Sequence, residues 1–247
     1  MSDGTVKTDD DGAIRQLMGW GGLDKHALFF VEDEDDKAIR AILKQWPELA
    51  RKLAICRCFG VDNLPKDTLL RGMLVDGKIG LKALIHRDRD FMVDEEVKRW
   101  LDLYKTEGVE LWISEGCDVE AEFCKPDYLA ALYGVPLEEA QEWCVRAAAK
   151  VSGAKKTYLD KRRVITRVVW PDGGSPDATK LWDDTGQTPE TVVGKDLWKQ
   201  LKPIIKGANL DDKLLNSFTI PDGYVVAPAL KILLEKVTAM PAKADHQ

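Results

Sequence analysis

Three pairs of carboxylates, Glu32 with Asp36, Asp88 with Asp90 and Asp118 with Glu120, stand at or just beyond the ends of short apolar runs. Carboxylates brought together repel, and each then has a raised pKa unless a cation sits among them. Hard oxygen donors of this kind suit Mg2+ or Mn2+. The first pair has a blander account: in "ALFFVEDEDDKAI", residues 27 to 39, five consecutive acids could form a solvated loop that favours the N-terminal dipole of the next helix. The return of acids after two further apolar runs favours a metal site.

The elements that must position these acids follow from patterning. "HALFFV", "KLAICRC", "LKALIH" and "VELWI" read as strands, the first continuously apolar as in a strand buried on both faces. Between them, "DDKAIRAILKQW" places Ile39, Ile42, Leu43 and Trp46 at helical spacing, with Pro47 ending or interrupting the helix. "GVDNLPKDTLLRGML" reads as a turn and then a helix, and "DEEVKRWLDLYKTEG" as a helix with Asp94 as a candidate cap. Strands alternating with helices imply βαβ units and a mainly parallel sheet. In an open α/β sheet the ligand crevice lies outside the C-terminal strand ends, so acids distant in sequence converge there. Asp88 and Asp90, two apart, point to one side if the backbone stays extended.

The expected organisation is a flexible arm over 1 to 22, an α/β domain over 23 to 125 and a mainly helical extension over 126 to 247. Within the extension, "RRVITRVVW" admits a strand as well as a helix, "PDGGSPDATKLWDDTGQTPE" is a polar connection with no assigned structure, and "GKDLWKQLKPIIKG" and "VVAPALKILLEKVTAM" read as closing helices. The stretch "KKTYLDKRRVITR" gathers Lys155, Lys156, Lys161, Arg162, Arg163 and Arg167 around Asp160. It is the clearest basic island on a chain of net charge -6, and a nucleic-acid contact or a solvated helical face are its two readings.

The pattern of an apolar strand with E-x-x-x-D, an apolar strand with D-x-D and a downstream acidic element resembles the Toprim domain of topoisomerases, bacterial primases and a set of nucleases. "FFVEDEDDKAI", "ALIHRDRDFM" and "LWISEGCDVEAEF" are most similar to OLD-family nucleases and to standalone Toprim effectors of antiphage systems that act with ABC-type ATPases, such as PARIS. The resemblance covers about residues 24 to 130. It implies a Rossmann-like α/β fold with a mainly parallel four-stranded sheet flanked by helices. It also implies a two-metal site in which Glu32, Asp88 and Asp90 hold one divalent cation while Asp36, Asp118 and Glu120 hold or organise a second. Such a pair of metals activates a water and stabilises the leaving oxygen of a phosphodiester. The same resemblance suggests Lys195 as the cation that neutralises the transition state, and Ser114 as an aid to positioning metal or water. The chain departs from the Toprim pattern at Asp33, where a glycine usually follows the first glutamate; the added side chain puts the loop's standard geometry in doubt.

The function so implied is a metal-dependent endonuclease acting on DNA or RNA, the toxic effector of a defence system. Because the sequence has no G-x-x-x-x-G-K-[ST], ATP-driven control falls to a separate ABC-type ATPase subunit. A homodimer is a further candidate assembly. An inactive Toprim acting as a regulatory or binding subunit is one competing expectation. A receiver-like signalling domain, which needs a single phospho-accepting Asp after the third strand and a Lys after the fifth, is another. The chain of 247 residues is too short for a topoisomerase's extra domain and lacks the zinc spacing of a primase. His86 and His26 are expected to be packed in or beside strands, and the tryptophans to be core anchors. Five cysteines without C-x-x-C pairs point to reduced thiols. The absence of an apolar run of membrane length and of a leader pattern points to the cytoplasm and away from a membrane.

Overall fold

The computed structural model describes residues 25 to 239; the expected arm over 1 to 22 lies outside them. Four strands, β1 (Ala27–Val31), β2 (Leu53–Arg57), β3 (Lys82–Arg87) and β4 (Val109–Ile113), form one all-parallel sheet in the order β2-β1-β3-β4. β1 is apolar throughout because it is central, with Ala27 opposite Leu53 on one side and Lys82 on the other. The chain moves outward from β1 to β2 and then jumps back to β3. The order therefore reverses between β1 and β3, and loops leaving their C-terminal ends diverge there to open a crevice. Glu32 leaves β1 at this point and Asp88 leaves β3.

The helices are α1 (Lys37–Leu43), α2 (Pro47–Ala50), α3 (Asp67–Arg71), α4 (Asp94–Leu101), α5 (Pro126–Tyr133), α6 (Leu137–Ala149), α7 (Ala154–Val169), α8 (Ala178–Thr185), α9 (Gly194–Gly207), α10 (Asp212–Asn216) and α11 (Pro228–Thr238). A short 3-10 turn (Val119–Cys124) follows β4. Pro47 opens α2 at its first turn, where its missing N–H has no intrahelical partner to lose. Asp94 is not the cap expected of it: it is the first residue of α4, and the preceding N–H of Val93 is satisfied by the Glu96 carboxylate at 3.0 Å.

"RRVITRVVW" is helical, since Arg162, Ile165 and Val169 recur on one face of α7 and all are buried. The polar connection left without structure contains α8, capped by Asp177, whose Oδ1 accepts from the N–H groups of Thr179 at 2.8 Å and Lys180 at 3.0 Å.

Side chains from both sides of residue 125 share the main core: Phe29, Ile39 and Phe123 pack in one cluster with Trp143, Leu201 and Leu230. Each such side chain contributes roughly 1.5–3 kcal/mol by leaving water. A second cluster under the opposite face joins Ile85 and Trp100 to Ile165 and Trp170, so α7 closes that side of the sheet. The buried Trp100, Trp112, Trp143 and Trp182 are core anchors, and all five cysteines are free. Among the described residues, no helix is long and apolar enough to cross a membrane.

Candidate metal centre

Glu32, at the end of β1, reaches across the crevice and accepts a hydrogen bond from the backbone N–H of Asp88 at 3.2 Å. This contact joins the loops after β1 and β3 at the point where the strand order reverses. Asp88 in turn accepts from the N–H of Val119 at 3.2 Å, which draws in the loop after β4. Asp118 caps the 3-10 turn, Oδ1 accepting from Ala121 N–H at 3.1 Å, while Oδ2 accepts from the backbone N–H of Lys195 at 3.1 Å. That second bond brings the first turn of α9 onto the site.

The extended D-x-D expected from the sequence is not what forms. Asp90 has φ 52°, in the left-handed region, and its N–H donates to the carbonyl of Cys117 at 2.6 Å. A non-glycine residue held there stores on the order of 1–3 kcal/mol of strain, which the surrounding contacts must offset. The turn nonetheless leaves Asp90 close enough to perturb both Glu32 and Asp88.

Burial and mutual repulsion shape the electrostatics. Asp88 is raised well above the carboxylate range by burial and then by Asp33, Asp118, Glu32 and Asp90. Burial and Asp90 push Glu32 up to about 7, and burial and Asp118 push Glu120 up to about 7. Asp118 is also raised, chiefly by burial. Two carboxylate oxygens of this cluster, Asp33 Oδ2 and Glu120 Oε2, are buried with no hydrogen-bond partner.

Two ammonium groups sit among these acids. The Lys195 Nζ donates to Asp33 Oδ1 at 3.0 Å and lies 3.6 Å from Glu120 Oε1. Lys161, from α7, donates to Asp90. Burial alone would lower the pKa of each ammonium, but Asp90 for Lys161 and Glu120 with Asp33 for Lys195 raise both.

Five of the six acids expected at the site, Glu32, Asp88, Asp90, Asp118 and Glu120, are thus brought together. Asp36 is paired with Arg40 instead, its Oδ2 accepting from Nε at 2.9 Å. Asp33, the residue standing at the usual glycine, takes a place in the cluster. Sequence reasoning treated Asp33 as a departure from pattern, and only its position directly after Glu32 hinted at more.

Ser114 is buried and spends its hydroxyl on the loop, accepting from Arg89 N–H and donating to the Gly116 carbonyl, each at 3.2 Å. His86 is fully buried against Trp112, its pKa lowered to about 3 by burial, with Nε2 3.6 Å from Asp88 Oδ1. His26 donates from Nδ1 to the Thr238 carbonyl at 2.8 Å, far from this chemistry in role.

The basic island divides. Lys155, Lys156 and Arg163 are exposed on α7, paired with Asp183 or Asp160. Lys161 turns into the acidic site. Arg162 is wholly buried, its Nη2 donating to Glu96 Oε1 at 2.9 Å, so it holds the core together and presents no surface to nucleic acid.

The donor set, all carboxylate oxygen with two buried oxygens unpartnered, fits a hard divalent cation. Glu32, Asp88 and Asp90 could hold one such ion, and Asp118, Glu120 and Asp33 a second, once their side chains turn toward it. Among the described residues no three of these groups stand as ligands of a single ion, and both lysines lie in hydrogen-bond contact with the acids. No family model matches the chain, and no curated protein matches it.

Proposed function

We propose that the chain is a divalent-metal-dependent nuclease that hydrolyses phosphodiester bonds of DNA or RNA, serving as the effector of an antiphage defence system under the control of a partner ATPase. The observation that carries the reading is the gathering of carboxylates from three separate loops at the switch point of a parallel sheet, where burial and then four other acids raise the pKa of Asp88. Proteins do not ordinarily bury like charges together without a use for the cation they attract.

Divalent cations held there would activate a water and stabilise the leaving oxygen. The protein's own share is positional. Glu32 and Asp88 are locked by backbone hydrogen bonds, and Asp118 is fixed at both oxygens, so the donors are aimed before substrate arrives. Lys195 holds a positive charge beside Glu120, suited to a phosphate oxygen entering the crevice. The exposed Lys155, Lys156 and Arg163 lie on the same helix as Lys161 and supply a surface along which a phosphate backbone can run. The ATPase partner and the defence role rest on the Toprim resemblance alone.

The receiver-like alternative shares a sheet in which β1 lies between β2 and β3, but it has no use for Asp118 and Glu120, and its lysine belongs after a fifth strand. Among the described residues there are four strands. Purified protein incubated with Mg2+ or Mn2+ and a panel of DNA, messenger RNA and transfer RNA is expected to cleave at least one. Glu32→Ala and Asp88→Asn are each expected to lower the rate by at least roughly a hundredfold, the upper end of what losing even an outer-shell partner of a metal ligand costs. Cleavage by either variant at the wild-type rate overturns the assignment. Stoichiometric phosphorylation of Asp88 from a small phosphodonor would instead favour the receiver.

A further inference from the structure

We propose that Lys161 is a built-in counter-ion that competes with the divalent cation for Asp90, so that metal loading displaces its ammonium and frees it for a phosphate oxygen of the substrate. The inference rests on the reading of the acidic cluster as a metal centre and adds to it a residue that controls loading.

Lys161 belongs to a run of basic residues that would ordinarily be solvated, yet its ammonium donates to Asp90 at the floor of the crevice. Asp90 is buried and its backbone is fixed by the bond to the Cys117 carbonyl, so its carboxylate has little freedom to turn elsewhere. The same carboxylate is expected to hold a cation together with Glu32 and Asp88. An oxygen engaged by an ammonium is not free for a metal, and an ammonium beside a divalent ion is strongly repelled. One of the two positive groups must leave.

The helix itself cannot be what moves. Arg162, the next residue, is wholly buried, donates to both Glu96 oxygens and to the Phe91 carbonyl, and shares Glu96 with the Trp170 indole N–H at 2.9 Å. The backbone of α7 is therefore anchored to α4 and to the loop after β3 one residue from Lys161. What remains mobile is the four-carbon stem of Lys161, whose side chain is 33% exposed against 6% for Asp90. The way out leads to solvent, where a nucleic-acid phosphate would approach.

Lys195 is unsuited to the same role. Its backbone N–H holds Asp118 while its ammonium bridges Asp33 and Glu120, so its position is tied to α9. Lys161 touches the cluster only through its tip, which makes it the cleaner test.

Full-length protein titrated with Mn2+ by calorimetry, with bound ion counted by electron paramagnetic resonance, distinguishes the outcomes. Lys161→Met is expected to bind Mn2+ at least roughly tenfold more tightly than wild type, as removal of one adjacent positive charge requires. Lys161→Arg, which keeps the charge, should show no such gain, and Asp90→Asn in the Lys161→Met background should erase it. A residue with a purely structural role would weaken metal binding when removed, so a gain is diagnostic. Should Lys161→Met fail to fold, judged by circular dichroism, Lys161→Gln takes its place. Equal or weaker binding by the folded variant overturns the counter-ion role, and leaves the metal centre standing if Asp88→Asn still abolishes binding. Absence of Mn2+ binding by wild type and variant alike overturns both.

Discussion

A glycine in a helix is ordinarily a weakness, and replacing it with alanine gains on the order of 1 kcal/mol in an exposed helix. At Gly194 the sign inverts. A Cβ there would lie 2.0 Å from Asp118 Oδ1 and 2.5 Å from the Ala121 nitrogen, so the first turn of α9 can approach the 3-10 turn only because it carries no side chain. Gly194→Ala is expected to destabilise the protein by roughly 1–3 kcal/mol, the range for overpacking, measured by urea denaturation. It should also lower cleavage by pushing Lys195 away from Asp33 and Glu120. A stabilised variant would show that the close approach is dispensable. The sequence "VVGKDLW" displayed this glycine but gave no sign of what it must clear, because the obstacle, Asp118, is 76 residues earlier. Asp33 was hidden for a related reason. In a run of five acids the residue type carries no information about which ones turn inward, and the partner that marks Asp33, Lys195, stands 162 residues later.

At the scale of elements, legibility tracked how far an element's own side chains report its surroundings. The central strands β1 and β3 were readable because burial on both faces demands apolar runs, the half-buried edge strands β2 and β4 because short apolar runs alternate with helical patterns, and the acids after β1, β3 and β4 marked the crevice. α7 was ambiguous because its basic composition masks the buried stripe of Arg162, Ile165 and Val169, and a buried arginine looks like a surface one until its partner is known. α8 was unreadable as a helix since only Trp182 of its residues is buried. The Arg162–Glu96 pair is what ties α7 to α4, and both side chains are fully buried. Removing one partner leaves an uncompensated charge in the core, so Arg162→Met is expected to cost about 3–5 kcal/mol. Arg162→Met with Glu96→Leu should recover part of that loss. It would fall short by roughly 1 kcal/mol for each of two donors left without an acceptor, the Trp170 indole N–H and the Val93 N–H. Chemical denaturation of the single and double variants measures the coupling, and a double variant no better than the single would remove the pair from this role.

Across the whole molecule, the acid cluster sets how stability responds to pH. In the folded chain Glu32 and Glu120 titrate near 7 against an ordinary 4.5, and Asp88 is raised from its ordinary 3.8. Between the ordinary and the raised values the folded state binds protons that the unfolded state has released, so stability falls as pH rises through the interval. Asp35, Asp67 and Asp160 are lowered instead, and their contribution changes only below their ordinary value of 3.8, outside this window, while His86, lowered by burial from 6.5 to about 3, opposes the trend below 6.5 as one group against the three raised carboxylates. Without divalent cation the melting temperature is therefore expected to be higher near pH 5 than near pH 8. Mn2+ should reverse the trend, because it competes with protons for the same oxygens: the rise in melting temperature on adding it should be small near pH 5 and large near pH 8. Asp88→Asn, which removes the carboxylate that four neighbours repel, should flatten the metal-free profile and shrink the response to Mn2+. Scanning calorimetry across this range, with and without Mn2+, reads all three effects together. A metal-free profile that climbs steadily from pH 5 to pH 8 would mean that the carboxylates are not crowded in solution as they are here, and the basis for gathering cations at this rim of the sheet would be lost.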